Sequence, residues 1–172
     1  MNPHNVEAER AVLGAALQSP HMLDELSDAI EPEDFYHPRH EAIWRAIIAT
    51  HARGDRPDPL LVDRELGADS QRLVGGLPYL QELTSVDTIP IPAQAPHYAS
   101  LVRDCTLVRR VLEGTTEIRQ RVEQATDAEG VAEDARQILD AALVGTVRVD
   151  TGIGSAALVS ATLEELDSDI DP

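Results

Sequence analysis

Val6–Gly14 reads V-E-A-E-R-A-V-L-G, and this stretch has the features of an amphipathic helix. Asn5 stands where it can cap the first turn, and Glu7 and Glu9 lie where the helix dipole favours acidic side chains. The apolar residues recur at spacings of three and four, so they form one continuous stripe. The stretch therefore predicts an α-helix with one buried face.

Pro and Gly residues divide the next part of the chain into four further short helices. Pro is favoured at the first position of a helix, and Gly is favoured just after its end. A short turn that starts at Pro32 is expected to separate the second helix from the third. The first helix is predicted from Val6 to the residues before Ser19-Pro20, and the later ones cover about Pro20–Ile30, Pro38–Ala52, Pro59–Leu66 and Pro78–Leu83.

The aromatic residues indicate where the core of this bundle lies. The chain has five of them, and three fall within ten positions of one another. Two arrive from the turn before the third helix, while His40 and Trp44 lie one turn apart on one face of that helix. We expect these side chains to pack together, with His40 in a structural role. The predicted core residues are Leu13, Phe35, Tyr36, His40, Trp44 and Tyr79.

A longer helical pattern follows the Pro-rich string I-P-I-P-A-Q-A-P. It predicts one helix over about His97–Glu123 and a second over about Val131–Leu143, which a short turn joins into an antiparallel hairpin. The apolar stripe of the first helix is broader than one short partner helix can cover, so we expect the hairpin to self-associate. The predicted interface residues are Leu101, Leu107, Val108, Val111, Leu112, Ile138 and Leu139.

These patterns predict an all-α protein with four segments. A globular helical bundle spans residues 1–88, a connector that we expect to be extended spans 89–96, the hairpin spans 97–145 and an acidic, linker-like tail spans 146–172. The last twelve residues of the tail, A-T-L-E-E-L-D-S-D-I-D-P, contain no basic residue. We expect the end of this tail to be disordered.

Composition restricts the partners that such a chain can have. Its net charge is −17, and all fourteen basic residues are Arg. A strongly acidic surface repels phosphate, so direct nucleic-acid binding is expected to be weak or absent and partners are expected to be proteins. The single Cys, Cys105, indicates a reducing compartment. No signal peptide or membrane span is recognisable, so we expect the cytoplasm.

Five ordered strings carry a resemblance to a known family. Together they resemble the amino-terminal domain of the bacterial replicative DNA helicase, the DnaB family, over about Val6–Leu143. The strings are V-E-A-E-x-x-V-L-G at Val6–Gly14, D-F-Y-x-x-x-H-x-x-I-W at Asp34–Trp44, G-x-x-P-D at Gly54–Asp58, V-G-G-x-x-Y-L-x-x-L at Val74–Leu83 and Y-A-x-x-V-R-x-x-x-x-x-R-R at Tyr98–Arg110.

The resemblance implies a non-catalytic assembly domain. In the family, an all-α globule and a hairpin build the collar of a hexameric ring, hairpins pair between subunits and primase docks on the collar. Primase and a full-length helicase are therefore the implied partners. A Walker A loop needs a Lys, and this chain has none, so the motor is missing. Both an excised domain and a motorless paralogue that caps a helicase ring fit the sequence.

Two departures from the family pattern concern the hairpin. Pro96 lies at its start and Gly114 lies inside its first helix, where a Gly in an exposed position costs about 1 kcal/mol relative to Ala. Both residues put the family's pairing geometry in question, although they leave the fold prediction unchanged.

Several residues could carry chemistry, and each has a simpler structural interpretation. His37, His40 and Glu41 have metal-ligand spacing, but further ligands have no obvious source. Glu33-Asp34 could act as an acid–base pair, but acids beside a Pro-opened helix more often serve the helix dipole. Cys105 and His97 lie eight residues apart, about two helical turns, which is too far for a nucleophile–base hydrogen bond. We therefore predict no catalytic, cofactor or metal site. The densest basic region could contact DNA phosphate, but in so acidic a chain we expect it to pair with local acids or with an acidic face of a neighbouring subunit. Its residues are Arg103, Arg109, Arg110 and Arg121.

Overall fold

The computed structural model describes residues 3–85, 94–124 and 128–143, and these residues form helices without strands. The predicted all-α fold is therefore confirmed. The connector of residues 86–93 and the tail of residues 144–172 lie outside the described residues. The α-helices are α1 Val6–Gln18, α2 Pro20–Ala29, α3 Pro38–Ala52, α4 Pro59–Val74, α5 Gly76–Leu83, α6 Ala95–Gln124 and α7 Ala128–Leu143, with a 3-10 turn at Pro32–Asp34.

Side-chain caps account for the helix starts that the sequence predicts. The Asn5 carboxamide oxygen accepts a hydrogen bond from the amide of Ala8 at 3.0 Å, which satisfies a donor of the first turn of α1. Ser19 accepts the amide of Met22 at the start of α2. Asp58 accepts two amides at the start of α4, at 2.8 Å each. Pro occupies the first turn of α2, α3 and α4, where its missing N–H costs nothing.

The core lies between the five helices α1 to α5 and the first turns of α6. Residues 3–85 are called the globule below, and Ala95, Ala99 and Val102 of α6 are buried in its core. Beyond Thr106, α6 leaves the globule and runs alongside α7. Residues 107–124 of α6 and all of α7 are called the distal hairpin. Because α6 is one helix of 30 residues, the globule and the distal hairpin share a single continuous helix.

One helical segment and three helix boundaries differ from the sequence prediction. α4 reaches Val74 only across a break at Gly67, whose φ of +68° is not helical. The predicted helix over Pro59–Leu66 therefore ends where expected, and a second helical segment to Val74 follows that the sequence analysis does not predict. α5 starts at Gly76 rather than at Pro78, directly after Gly75 has capped α4 with a φ of +94°. α7 starts at Ala128, three residues early. α6 starts at Ala95, so the predicted extended connector is wrong for residues 95–96.

The structure buries five of the six predicted core residues and leaves the sixth exposed. Leu13, Phe35, His40, Trp44 and Tyr79 are at most 9% exposed, and the Phe35 and Trp44 rings lie 5.6 Å apart. The prediction is wrong for Tyr36, which is 39% exposed. Phe35 has extended backbone angles, and neighbouring side chains on extended backbone point in opposite directions. Tyr36 therefore faces outward, where its ring stacks on that of His4.

Candidate interaction site on the helical hairpin

A buried polar network ties α1, α3 and α5 together inside the globule. The Glu9 carboxylate accepts hydrogen bonds from the amides of Tyr36 and His37, and it lies 2.6 Å from Nδ1 of His40. On the other side of the imidazole, Nε2 lies 2.7 Å from the Tyr79 hydroxyl. Glu9 and His40 are 1% and 0% exposed, so every one of these groups depends on the others for its hydrogen bonds.

The geometry assigns the protons of this network. A carboxylate can only accept, so Nδ1 of His40 carries a proton and donates to Glu9. Burial raises the pKa of Tyr79, which keeps its hydroxyl protonated and able to donate to Nε2. His40 then needs only one proton, because it donates to Glu9 through Nδ1 and accepts from the Tyr79 hydroxyl through Nε2. Both of its nitrogens are occupied by protein groups, which contradicts the metal-ligand interpretation of this residue.

The neighbouring titratable groups also have structural roles. Burial lowers the pKa of His37, and the neighbouring charge of Arg39 lowers it further. The pKa of Glu33 is lowered by a hydrogen bond with backbone and by Arg45, whose guanidinium lies 2.6 Å away. A carboxyl group with a lowered pKa is poorly matched to proton transfer near neutral pH. Burial raises the pKa of Cys105, which disfavours the nucleophilic thiolate.

A second polar cluster joins the globule to α6 at the point where this helix leaves it. Arg109 donates to the backbone carbonyls of Asp34 and Pro3, at 2.7 and 3.0 Å, and to the Thr106 hydroxyl at 2.9 Å. The Thr106 hydroxyl lies 2.8 Å from the same Asp34 carbonyl. The Asp34 carboxylate accepts the amide of Glu31 and lies 3.7 Å from Arg110. Asp34, Thr106, Arg109 and Arg110 are called the Asp34 cluster below.

The two helices of the hairpin are in close contact at Gly114. A Cβ atom at this position would lie 3.2 Å from Cγ2 of Ile138 and 3.7 Å from Cβ of Ala142. Gly114 is buried, so the expectation of an exposed glycine with only a helix-propensity cost is wrong. An ion pair of 2.8 Å between Arg121 and Asp134 closes the far part of the hairpin. The local pairing expected for Arg110 and Arg121 is thus observed.

The predicted interface residues fall into three groups. Val108, Leu112 and Leu139 are 46%, 45% and 39% exposed, and the remaining members of the set on the hairpin are half-buried. Leu101 instead packs against the core of the globule, because it precedes the point where α6 leaves the globule. The half-buried members are Leu107, Val111 and Ile138.

Two further apolar residues of the distal hairpin are exposed and were not among the predicted interface residues. Val122 is 54% exposed and Leu143 is 44% exposed. Val122 lies fourteen residues after Val108, which is close to four full helical turns, so the two share one face of α6. Helical spacing alone could have placed Val122 beside Val108 and Leu112.

Neither a metal centre nor a membrane span is found in the described residues. Residues 3–85, 94–124 and 128–143 contain no group of three or more His, Cys, Asp or Glu side chains that could hold a metal ion. In the same residues, no helix combines the length and the apolar character that crossing a bilayer requires. What distinguishes the described surface is the row of exposed apolar side chains on the hairpin.

Comparison with known proteins identifies this arrangement of a globule and a hairpin. The family model of the DnaB-like helicase N terminal domain matches residues 1–104, which is more than half of the chain. The chain belongs to this family. It is similar to the replicative DNA helicase DnaB of Geobacillus stearothermophilus, with 38% identity over 119 residues. That match covers 69% of the chain but only 26% of the relative, so the chain spans about a quarter of that helicase.

Two solved structures resemble the fold. The crystal structure of the N-terminal domain of DnaB helicase from Mycobacterium tuberculosis has a TM-score of 0.77 and 32% identity, and the match covers 81% of the chain and 99% of that domain. A structure described as that of a DnaB-like replicative helicase and its interactions with primase has a TM-score of 0.66 at 21% identity, with 95% and 35% covered. The second likeness shows the fold alone.

Proposed function

We propose that this chain is the non-catalytic assembly and protein-interaction domain of a replicative DNA helicase. In this role, the distal hairpin pairs with that of another copy, the paired hairpins form a collar, and the collar offers a docking surface for primase. The observation that carries the proposal is the combination of membership in the DnaB-like N-terminal domain family with exposed apolar residues on the hairpin. One structural relative is itself described with its interactions with primase.

The exposed apolar side chains support pairing in particular. Val108, Leu112 and Val122 lie on α6, and Leu139 and Leu143 lie on α7, each between 39% and 54% exposed. Several exposed large apolar side chains on one part of a protein are typical of an interface. A second hairpin is an appropriate partner because it offers apolar side chains of the same kind and needs no opposite charge.

The sequence argues against two other activities for these 172 residues. Without any Lys, they contain no Walker A motif to bind the phosphates of ATP. At a net charge of −17, they also have no electrostatic attraction for DNA. We therefore expect the purified chain to hydrolyse no ATP above background and to bind DNA only weakly at physiological salt. ATP hydrolysis that a point mutation in this chain abolishes would contradict the proposal.

The pairing step can be tested by comparing two exposed apolar positions. Val108→Asp places a charge on the distal hairpin, whereas Leu60→Asp places the same charge on the globule, where Leu60 is 65% exposed. Sedimentation velocity of the unmodified chain should show a dimer or larger species. Val108→Asp should shift this species towards monomer, and Leu60→Asp should not. A monomer at high concentration before any mutation would refute pairing.

Mixing experiments address the partners. The chain and purified primase should elute together in gel filtration, and Val108→Asp should show whether docking needs a paired collar. A motorless regulator behaves differently, because it would stay monomeric alone and elute with the full-length helicase. That outcome would replace the assembly role by a capping role.

A further inference from the structure

The span of α6 between the globule and its contact with α7 contains no buried residue. The buried residues of α6 are Ala95, Ala99, Val102 and Thr106 on the globule, and then Gly114 against α7. Over the seven residues from Leu107 to Glu113, α6 thus has neither the core on one side nor a buried contact with α7 on the other. The side chains of Arg109 and Arg110 are what reach back to the globule over this span.

The contacts at the exit form a closed ring of hydrogen bonds. One nitrogen of Arg109, Nη2, carries two protons and lies within bonding distance of both the Asp34 carbonyl and the Thr106 hydroxyl. The Thr106 hydroxyl accepts from Arg109 and can donate its single proton to the Asp34 carbonyl at 2.8 Å. Arg109, Thr106 and Asp34 are therefore linked pairwise, and the ring joins α6 to the 3-10 turn.

Thr106 has a second acceptor for the same proton. Its hydroxyl also lies 3.1 Å from the carbonyl of Val102, four residues earlier in α6. A hydroxyl has only one proton, so a strong bond to Asp34 competes with the bond to Val102. When Ser or Thr bonds back to the carbonyl four residues earlier, the helix often bends at that point. A bond to the Asp34 carbonyl therefore favours a straight α6, and a bond to the Val102 carbonyl favours an α6 that bends at Thr106.

We propose that the ring of Asp34, Thr106 and Arg109 is a latch that sets the direction in which the hairpin leaves the globule. With the latch closed, the Thr106 proton is held by Asp34 and α6 is fixed against the 3-10 turn. With the latch open, the Thr106 hydroxyl donates its hydrogen bond to the Val102 carbonyl instead, and α6 bends at Thr106. The globule keeps its fold in both states, because Ala95, Ala99 and Val102 stay in the core.

The bend is large enough to measure. Arg119 lies thirteen residues beyond Thr106, so a bend of about 20° would move it by about 7 Å, at a distance of about 20 Å along the helix. Spin labels at Glu25 on α2 and at Arg119 on α6, both exposed, report this movement. Cys105→Ala removes the native thiol. Dilution with unlabelled protein restricts the measured distances to a single chain, so the result does not depend on whether hairpins pair.

Substitutions at Thr106 distinguish a latch from ordinary packing. Thr106→Val removes the hydroxyl at nearly constant volume, and Thr106→Ser keeps it. The matched control is Thr116→Val, because the Thr116 hydroxyl also bonds a carbonyl four residues earlier but is exposed and far from the globule. We expect one narrow distance in the parent, Thr106→Ser and Thr116→Val. In Thr106→Val we expect a second distance or a shift of several ångströms.

Arg109→Met removes the guanidinium that bonds Asp34 and Thr106, so it should open the latch without changing Thr106. Arg103→Met, on the same helix, is its control. Arg109→Met should move or broaden the distance, and Arg103→Met should not. Unchanged distances in both Thr106→Val and Arg109→Met would overturn the proposal. So would equal changes in Thr106→Val and Thr106→Ser. If Thr106→Val or Arg109→Met abolishes the cooperative thermal melt, the Asp34 cluster is required for the globule to fold and the latch is refuted.

Discussion

The globule and the distal hairpin are both built from helices rich in Ala, Leu and Val, yet they bury apolar surface to very different extents. The twelve largest fully buried side chains, from Trp44 to Val12, all belong to the globule. Among the described residues of the distal hairpin, only Gly114 and Ala142 are buried. Helix propensity is thus similar in the two regions, while tertiary packing differs. The globule provides its own core, and the hairpin needs a partner to complete one.

The largest effect that this comparison predicts is at Trp44. Trp44→Ala should lower the free energy of unfolding by about 3–5 kcal/mol, because it empties a site that is 0% exposed. Leu112→Ala on the distal hairpin, where the side chain is 45% exposed, should cost far less. His37→Ala at the start of α3 should also cost little. Urea unfolding followed by far-UV circular dichroism measures all three. Equal losses at Trp44 and Leu112 would remove the distinction between the regions.

A smaller but still clear effect is expected at Glu9. Glu9→Gln replaces an acceptor oxygen by a donor group, so one of the donors from Tyr36, His37 and His40 loses its partner inside the globule. An unsatisfied buried group typically costs about 1–3 kcal/mol. Glu7→Gln, two residues earlier and exposed, is the matched control and should be close to neutral. The same urea titration applies. A neutral Glu9→Gln would mean that the network does not contribute to stability.

In the hairpin, the expected effect is local. Gly114→Leu forces a side chain into a space where even a Cβ lies 3.2 Å from Ile138, so α7 should separate from α6. Hydrogen–deuterium exchange should show faster exchange in α7 while α1 and α3 keep their protection. Glu113→Leu, on the exposed neighbouring position, serves as the control. Loss of protection in the globule as well would show that the two regions fold as one unit.

The smallest expected effect is the pH dependence from His37. Its pKa is lowered in the folded state below the ordinary value of about 6.5, mainly by burial and then by the charge of Arg39. Below about pH 6.5 the unfolded chain therefore binds more protons than the folded one, and stability falls on acidification. His37→Asn should flatten this slope, and His21→Asn, at an exposed position of α2, is the matched control. The measurement is the urea midpoint of each variant at pH values on either side of 6.5. The same dependence of this midpoint on pH in both variants would contradict the prediction.

The sequence predicts most of the globule because its helix boundaries are local features. Asn5, Ser19 and Asp58 cap helices through bonds to amides two or three residues away, and such short-range chemistry is visible in the sequence. The break at Gly67 follows the usual tendency of Gly to end a helix. The sequence therefore predicts the helix over Pro59–Leu66, but not the second helical segment that follows to Val74.

The contacts of the site could not be predicted, because they join residues far apart in the chain. Glu9 and His40 are 31 residues apart, and His40 and Tyr79 are 39 apart. Nothing in the local pattern around Glu9 distinguishes a buried carboxylate from one that serves the helix dipole. Gly114 is similar, since its role depends on Ile138 in the other helix. The residues that the sequence selected for the hairpin interface remain a prediction.

The continuity of α6 has a consequence for how this protein can tolerate insertions and deletions. Each residue of an α-helix adds a rise of about 1.5 Å and a rotation of about 100°. Removing one residue between Leu107 and Glu113 would therefore turn the apolar face of the distal hairpin by more than a quarter of a circle relative to the globule. Inserting about seven residues, which is two helical turns, would nearly restore the orientation of this face while moving the distal hairpin about 10 Å further from the globule. The span between globule and hairpin, although it has no buried residue, should therefore vary in sequence far more readily than in length.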